Sequence, residues 1–314
     1  MFPNVRERFD VPDLPHPDKR SIPLVLVNGL AEQPESWFAN RAYLSRDFDL
    51  KVPEILVYDG DALHERIESG GEISVGYLTD RLARFLDEFV QRPPYHLVGS
   101  SLGSQVILTY ATRRPENVAK LVLICPSGLH GSENLPMIEG VRRGDHASLV
   151  KSAFHRDHFA TAALVHAFDR KFEDRRWKRG VLRTLRGTLG HSVASLLPLV
   201  PHPTLVIWGA NDRVLSDVRG SIRAAESISR VRQVVIPHCG HAPQIEKAPL
   251  VNQLVSRYLR DQLKTIPVDL DPYRFLSDHK GQRDDGLESR LQHGLVPAGR
   301  NSGGAAPGQP WFSA

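Results

Sequence analysis

Cysteine is scarce in this chain of 314 residues, with two in all. Cys125 and Cys239 cannot build a disulfide framework, and a reducing, cytoplasmic location is expected. Long apolar runs are absent too. The longest, Pro23 to Val27 and Leu121 to Cys125, have strand length, so no membrane span is expected. The N-terminal stretch Met1 to Arg8 has no apolar core of a secretory signal, and none is expected to act as one. There is no glycine-rich phosphate loop and no dinucleotide fingerprint, and no cofactor is expected. His155 and His158, three apart, lack a third ligand and lie among cations, which disfavours a metal ion. Cys239 beside His238 and His241 reads as packing, so no metal is expected there either.

Positive charge is what the chain holds in excess, with a formal net charge of +4. The surplus is local. Arg142 to His191 holds twelve Lys and Arg against five acids, more than the whole chain's balance. A solvated helical face accounts for it, and the attraction of basic surface for anions leaves room for an anionic substrate. Trp177 without regular aromatic interleaving does not make a nucleic-acid surface.

Short apolar runs alternate with helical patterns from about residue 21 to residue 262. Strands are expected at Ile22 to Val27, Val52 to Tyr58, Tyr95 to Val98, Leu121 to Ile124, Leu205 to Trp208 and Val231 to Ile236. Most are continuous Val, Ile and Leu runs, which suit parallel strands buried on both faces. Helices are expected at Val75 to Val90, Leu102 to Thr112, Ser216 to Ile228 and Leu250 to Leu263. In the first of these, Leu78, Leu82, Phe85, Leu86 and Phe89 form one stripe. The alternation predicts an α/β fold with a doubly wound, mostly parallel sheet. Ser127 to Val200 carries no clear strand and is too long for a simple crossover. It reads as a helical cap inserted after the strand at 121–124. The expected division is a core from 1–126 and 201–264, a cap at 127–200 and a tail at 265–314. From about residue 279 the tail is poor in groups to bury and is expected to be disordered.

One motif has chemical content. Gly99-Ser100-Ser101-Leu102-Gly103 matches Gly-x-Ser-x-Gly, a pattern that composition alone would produce in roughly one such chain in eight. Its context is more specific, because a strand ends at Val98 and a helix opens at Leu102. A serine on so tight a turn has strained backbone, and side chains two residues to either side would collide, hence Gly99 and Gly103. Ser100 lacks that flanking register, so Ser101 is the candidate nucleophile. The Leu102 amide, at the positive end of the following helix, is a candidate oxyanion donor. A serine hydroxyl needs a base, and the base an orienting acid. Asp212 follows the strand ending at Trp208, and His241 follows the strand ending at Ile236. His238 is a rival base, but Gly240-His241 with Glu246 and Pro249 beyond favours His241. The strand ending at Ile124 runs into Cys125-Pro126-Ser127, which offers no rival acid. The second oxyanion donor is expected in Asn28-Gly29-Leu30-Ala31, with the Leu30 amide as candidate.

These pieces, in this order, resemble the α/β-hydrolase superfamily, in its cap-bearing serine branch, over about residues 21–262. The resemblance rests on Val27-Asn28-Gly29, the Gly99 to Gly103 elbow with Ser104, Trp208-Gly209-Ala210-Asn211-Asp212 and Gly240-His241. It departs at Asn28, where the family usually has histidine. It implies a serine hydrolase acting on a carboxylic ester or thioester through an acyl-enzyme. An acyltransferase or perhydrolase on the same residues, or a ligand-binding protein on the same fold, is the alternative. The serine disfavours the dehalogenases and epoxide hydrolases of the family, which use aspartate. The loop Leu30 to Pro34 is not glycine-rich, which disfavours carbon–carbon bond hydrolysis. Substrate identity would lie in the cap.

Overall fold

The computed structural model describes residues 22–32, 34–130 and 143–263. The N-terminal stretch expected not to act as a signal, and the tail at 265–314 expected to be disordered from about residue 279, lie outside the described residues.

Six parallel strands form one sheet: β1 (Leu24–Val27), β2 (Leu50–Lys51), β3 (Tyr95–Ser100), β4 (Val118–Ile124), β5 (Thr204–Gly209) and β6 (Val231–Ile236). Their spatial order is β2-β1-β3-β4-β5-β6. The continuous apolar runs are explained by burial on both faces. Along β1, Leu24 and Leu26 point to one face and Val25 and Val27 to the other. The first face is covered by α1 (Phe38–Leu44) and by the last described helix, α9 (Ala248–Leu259), through Leu44, Val251, Leu254 and Val255. The second is covered by α3 (Val75–Phe85), α4 (Leu102–Arg113) and α8 (Val218–Ala225), through Leu78, Leu82, Val106, Ile107 and Ile222. Side chains buried this completely contribute about 2 kcal/mol each, so neither face can be left bare.

The expected second strand at Val52 to Tyr58 is a correction. Only Leu50 and Lys51 pair with β1, in register with Leu24 and Val25. Pro53 has no N–H to give to a ladder, and the chain beyond it runs on without strand pairing to Tyr58. Other boundaries move for local reasons. Ser74 caps α3, its hydroxyl accepting from the Tyr77 N–H. The helix then passes into a wider turn at Leu86–Val90, where Leu86 and Val90 are buried and Phe89, expected on the stripe, is exposed. Asp217 caps α8 by accepting from the Gly220 N–H at 2.7 Å, so this helix starts at Val218 and not at Ser216.

Between β4 and β5 lies a helical insertion. Its described helices are α5 (His146–Ser152), α6 (Ala162–Glu173) and α7 (Arg175–Thr188), followed by a 3-10 stretch at Ala194–Leu199. An outer helix, α2 (Asp61–Glu68), packs against α7. Arg176 and Arg179 of α7 face Asp61 and Glu68 of α2, at 2.8 and 3.5 Å. Part of the basic surplus read from the sequence is thus met by carboxylates of the neighbouring helix.

Candidate active site

The carboxyl ends of β3, β5 and β6 and the loop after β1 lie at the same end of the parallel sheet, and the candidate residues lie there. Ser101 connects β3 to α4 with φ 48° and ψ −115°. This backbone conformation is strained for any residue with a side chain, and surrounding hydrogen bonds hold it. The Ser101 N–H donates to the Ile124 carbonyl at 2.9 Å, and its own carbonyl accepts from the Ser104 N–H. The two glycines are sterically required. A Cβ on Gly103 would lie 2.4 Å from the Val27 carbonyl oxygen, and one on Gly99 would lie 2.6 Å from the Gly103 carbonyl carbon. The helix can follow the strand this closely only without those atoms.

His241 and Asp212 meet directly. Nδ1 of His241 lies 2.7 Å from Oδ2 of Asp212, and both side chains are buried. A carboxylate oxygen only accepts, so Nδ1 carries the proton, and Nε2 is the basic atom of this neutral tautomer. The other oxygen, Oδ1, accepts from the N–H groups of Val214 and Leu215 at 2.8 and 3.1 Å. These bonds fix the carboxylate before it meets the imidazole. A Cβ on Gly209 would fall 1.8 Å from the Gly240 carbonyl oxygen, so this glycine lets the two loops touch. The rival His238 instead lies beside His155, with ring centroids 5.7 Å apart.

Glu246, a short way beyond His241 in the chain, binds the loop that carries His241 to the insertion. Its carboxylate accepts from the N–H groups of Gly240, His155 and Arg156 at 2.7, 3.1 and 3.1 Å. His155 thus meets the site through its backbone.

The loop after β1 is held at two amides. The Gly29 N–H donates to Oε2 of Glu32 at 2.8 Å, and the Ala31 N–H donates to the Tyr58 hydroxyl at 2.9 Å. Between them, the Leu30 amide has no partner among the described residues. The Leu102 amide, at the start of α4, is likewise open among the described residues. A Cβ on Gly29 would lie 3.2 Å from the Ser101 Cβ, which puts this loop directly against the elbow.

Several contributors escaped the sequence reading. Glu32 and Tyr58 hold the loop after β1, and Gln244 donates to the Ser100 hydroxyl. No local pattern marks them, because their partners are distant in sequence or are backbone groups. Cys125 also enters the site. It takes φ 41° at the end of β4, and its sulfur accepts from the Gly209 N–H at 3.3 Å. Cys125, Asp212 and His241 bring ligand-type atoms within 4.8 Å of one another. Burial, and then the nearby Asp212, push the Cys125 thiol well above its ordinary range, so it is held as the neutral thiol beside the Asp212–His241 pair. Asp212 is already committed to the N–H groups of Val214, Leu215 and His241. The donor set therefore suits a hydrogen-bonded pair and not an ion.

Residues 24–254 match the family described as "Alpha/beta hydrolase family". Among curated relatives is "Monoacylglycerol lipase ABHD6" of Homo sapiens. It is 23% identical over 256 residues, covering 75% of this chain and 74% of the relative. Among solved structures, carboxylesterase CesB (YbfK) from Bacillus subtilis aligns with a TM-score of 0.61 at 20% identity, over 77% of this chain and 85% of that one. The meta-cleavage product hydrolase CumD from Pseudomonas fluorescens IP01 aligns with a TM-score of 0.62 at 20% identity, over 76% and 91%. The two structures show a shared fold, and the family match covers most of the described sheet and its helices. The chain belongs to the alpha/beta hydrolase family.

Proposed function

We propose that this protein is a serine hydrolase of carboxylic esters or thioesters, with Ser101 as nucleophile, His241 as base and Asp212 as the orienting acid. The observation that carries the reading is the Asp212–His241 contact, formed at the carboxyl end of the sheet where the strained elbow presents Ser101. The relatives named for lipase and carboxylesterase activity support an ester as the substrate class.

In the proposed reaction the Ser101 oxygen bonds to the substrate carbonyl carbon while its proton passes to Nε2 of His241. Asp212 stabilises the imidazolium through Nδ1, and the amides of Leu30 and Leu102 hold the oxyanion. The tetrahedral centre collapses, the bond to the leaving alkoxide or thiolate breaks, and His241 returns the proton to it. Water repeats the sequence on the acyl-enzyme and releases the acid. The insertion at 127–200 serves as a cap over this centre and sets acyl selectivity. An anionic donor draws less support, because the groove between α2 and α7 mixes Asp61, Glu65 and Glu68 with Arg175, Arg176 and Arg179.

Ser101→Ala should lower hydrolysis of short p-nitrophenyl esters by roughly 10⁴-fold or more and abolish labelling by a fluorophosphonate probe. Unchanged turnover or labelling would overturn the mechanism. Product analysis with added alcohols or thiols separates a hydrolase from an acyltransferase.

A further inference from the structure

The reaction scheme uses neither Glu32 nor Ser100, yet both touch its parts. The Glu32 carboxylate bridges two segments. Oε2 accepts from the Gly29 N–H at 2.8 Å, and Oε1 accepts from the Ser100 hydroxyl at 3.1 Å. Ser100 is fully buried and immediately precedes the nucleophile. Its oxygen in turn accepts from the side-chain amide of buried Gln244 at 3.2 Å, in the short helical turn Pro243–Glu246 that directly follows His241. One hydrogen-bonded chain therefore links the oxyanion loop, the elbow and the turn that follows His241.

The packing is as close as the bonding. A Cβ on Gly29 would lie 3.2 Å from the Glu32 carboxyl carbon and 3.2 Å from the Ser101 Cβ. Burial pushes the Glu32 carboxyl up from its ordinary range, opposed by the Gly29 N–H, the charge of His241 and the Ser100 hydroxyl. A residue at 32 without two polar atoms would leave the Gly29 amide and the Ser100 hydroxyl without these partners. Rotation of the freed Gly29 peptide would carry the adjoining Leu30 amide out of line.

We propose that Glu32 is a positioning residue whose carboxylate ties the oxyanion loop to the nucleophile elbow and thereby aims the Leu30 amide at the carbonyl under attack. The inference rests on the serine mechanism proposed above. The tie requires two hydrogen-bonding atoms and not a charge. A glutamine at 32 can accept from Gly29 with its oxygen and donate to Ser100 with its nitrogen. The Ser100 hydroxyl can then donate to Oε1 of Gln244, once that amide turns over. This oxygen is buried and has no partner among the described residues.

The test compares wild type, Glu32→Ala, Glu32→Gln and Ser101→Ala on p-nitrophenyl butyrate, with thermal melts of each. Glu32→Ala should lower kcat by about ten- to a hundredfold, with KM changed by no more than about threefold, as for a misaligned oxyanion donor. Glu32→Gln should recover most of kcat. If Glu32→Ala melts below the assay temperature, Glu32→Asp takes its place with the same expectation, since its shorter arm cannot span both partners. Wild-type kcat in the truncated variant overturns the tie. So does a Glu32→Gln variant that falls as far as alanine, which would make the charge the working part. Those outcomes with an inactive Ser101→Ala sink this inference alone. An active Ser101→Ala removes the serine reading and this inference with it.

Discussion

Asp212 shows how backbone decides the chemistry available to a side chain. Its Oδ1 accepts from Val214 and Leu215, so the carboxylate cannot rotate without losing two bonds. In Asp212→Asn the amide oxygen would stay with those two N–H groups, because nitrogen cannot accept there. The amide nitrogen would then face Nδ1 of His241 and force the proton onto Nε2, the atom that takes the Ser101 proton in the proposed reaction. On the proposed mechanism kcat falls by about 10³- to 10⁴-fold while Tm stays nearly unchanged. A variant with near wild-type kcat would remove Asp212 from its role.

At the scale of elements, glycines set how closely the insertion approaches the core. A Cβ on Gly180 of α7 would lie 2.2 Å from the Tyr58 carbonyl oxygen. One turn earlier, Trp177 meets the Tyr58 ring edge-on, with centroids 5.4 Å apart. The Tyr58 hydroxyl holds Ala31 in the loop after β1, so the seat of α7 is coupled to the candidate site. Glycine to alanine inside a helix normally stabilises by about 1 kcal/mol. Here the overlap is with backbone, and Gly180→Ala should instead destabilise by about 1–3 kcal/mol, with a lower Tm and a lower kcat. A raised Tm would show that α7 does not sit as described.

For the whole molecule, one buried histidine links stability to acid. His96 lies in β3 at 5% exposure, against Phe48, with Nδ1 unpartnered among the described residues. Burial, then the charge of nearby Lys120, lowers its pKa to about 4, with Asp261 opposing. The folded value lies below the ordinary one, so the folded state favours neutral imidazole. Its stabilising contribution is complete above about pH 6.5 and is lost as pH falls towards 4. The loss is up to about 3 kcal/mol. Urea unfolding at pH 7 and pH 4.5 measures it, and in His96→Leu that part of the slope should disappear. Equal slopes in the two proteins would assign the acid limb to other groups. Glu32 contributes with the opposite sign, since its raised pKa favours the protonated fold at low pH, and it cancels in this comparison.

The sequence by itself determined the layered α/β fold, the elbow and the order of Ser101, Asp212 and His241. Each is written in local terms: apolar runs of strand length, glycines two residues either side of a serine, and polar residues just past strand ends. It also placed the insertion after β4, because a long strandless segment cannot be a simple crossover. It misplaced the second strand, which pairs at Leu50 and Lys51, since the apolar character of Val52 to Tyr58 says nothing of whether Pro53 has a ladder to join. Only the tertiary structure decided that His241, which the sequence favoured, contacts Asp212 while His238 lies beside His155, that Tyr58 and Glu32 leave the Leu30 amide open, and that α7 meets α2 through paired charges. Those outcomes depend on distances between segments far apart in the chain, and such distances are fixed by how the sheet and its helices pack.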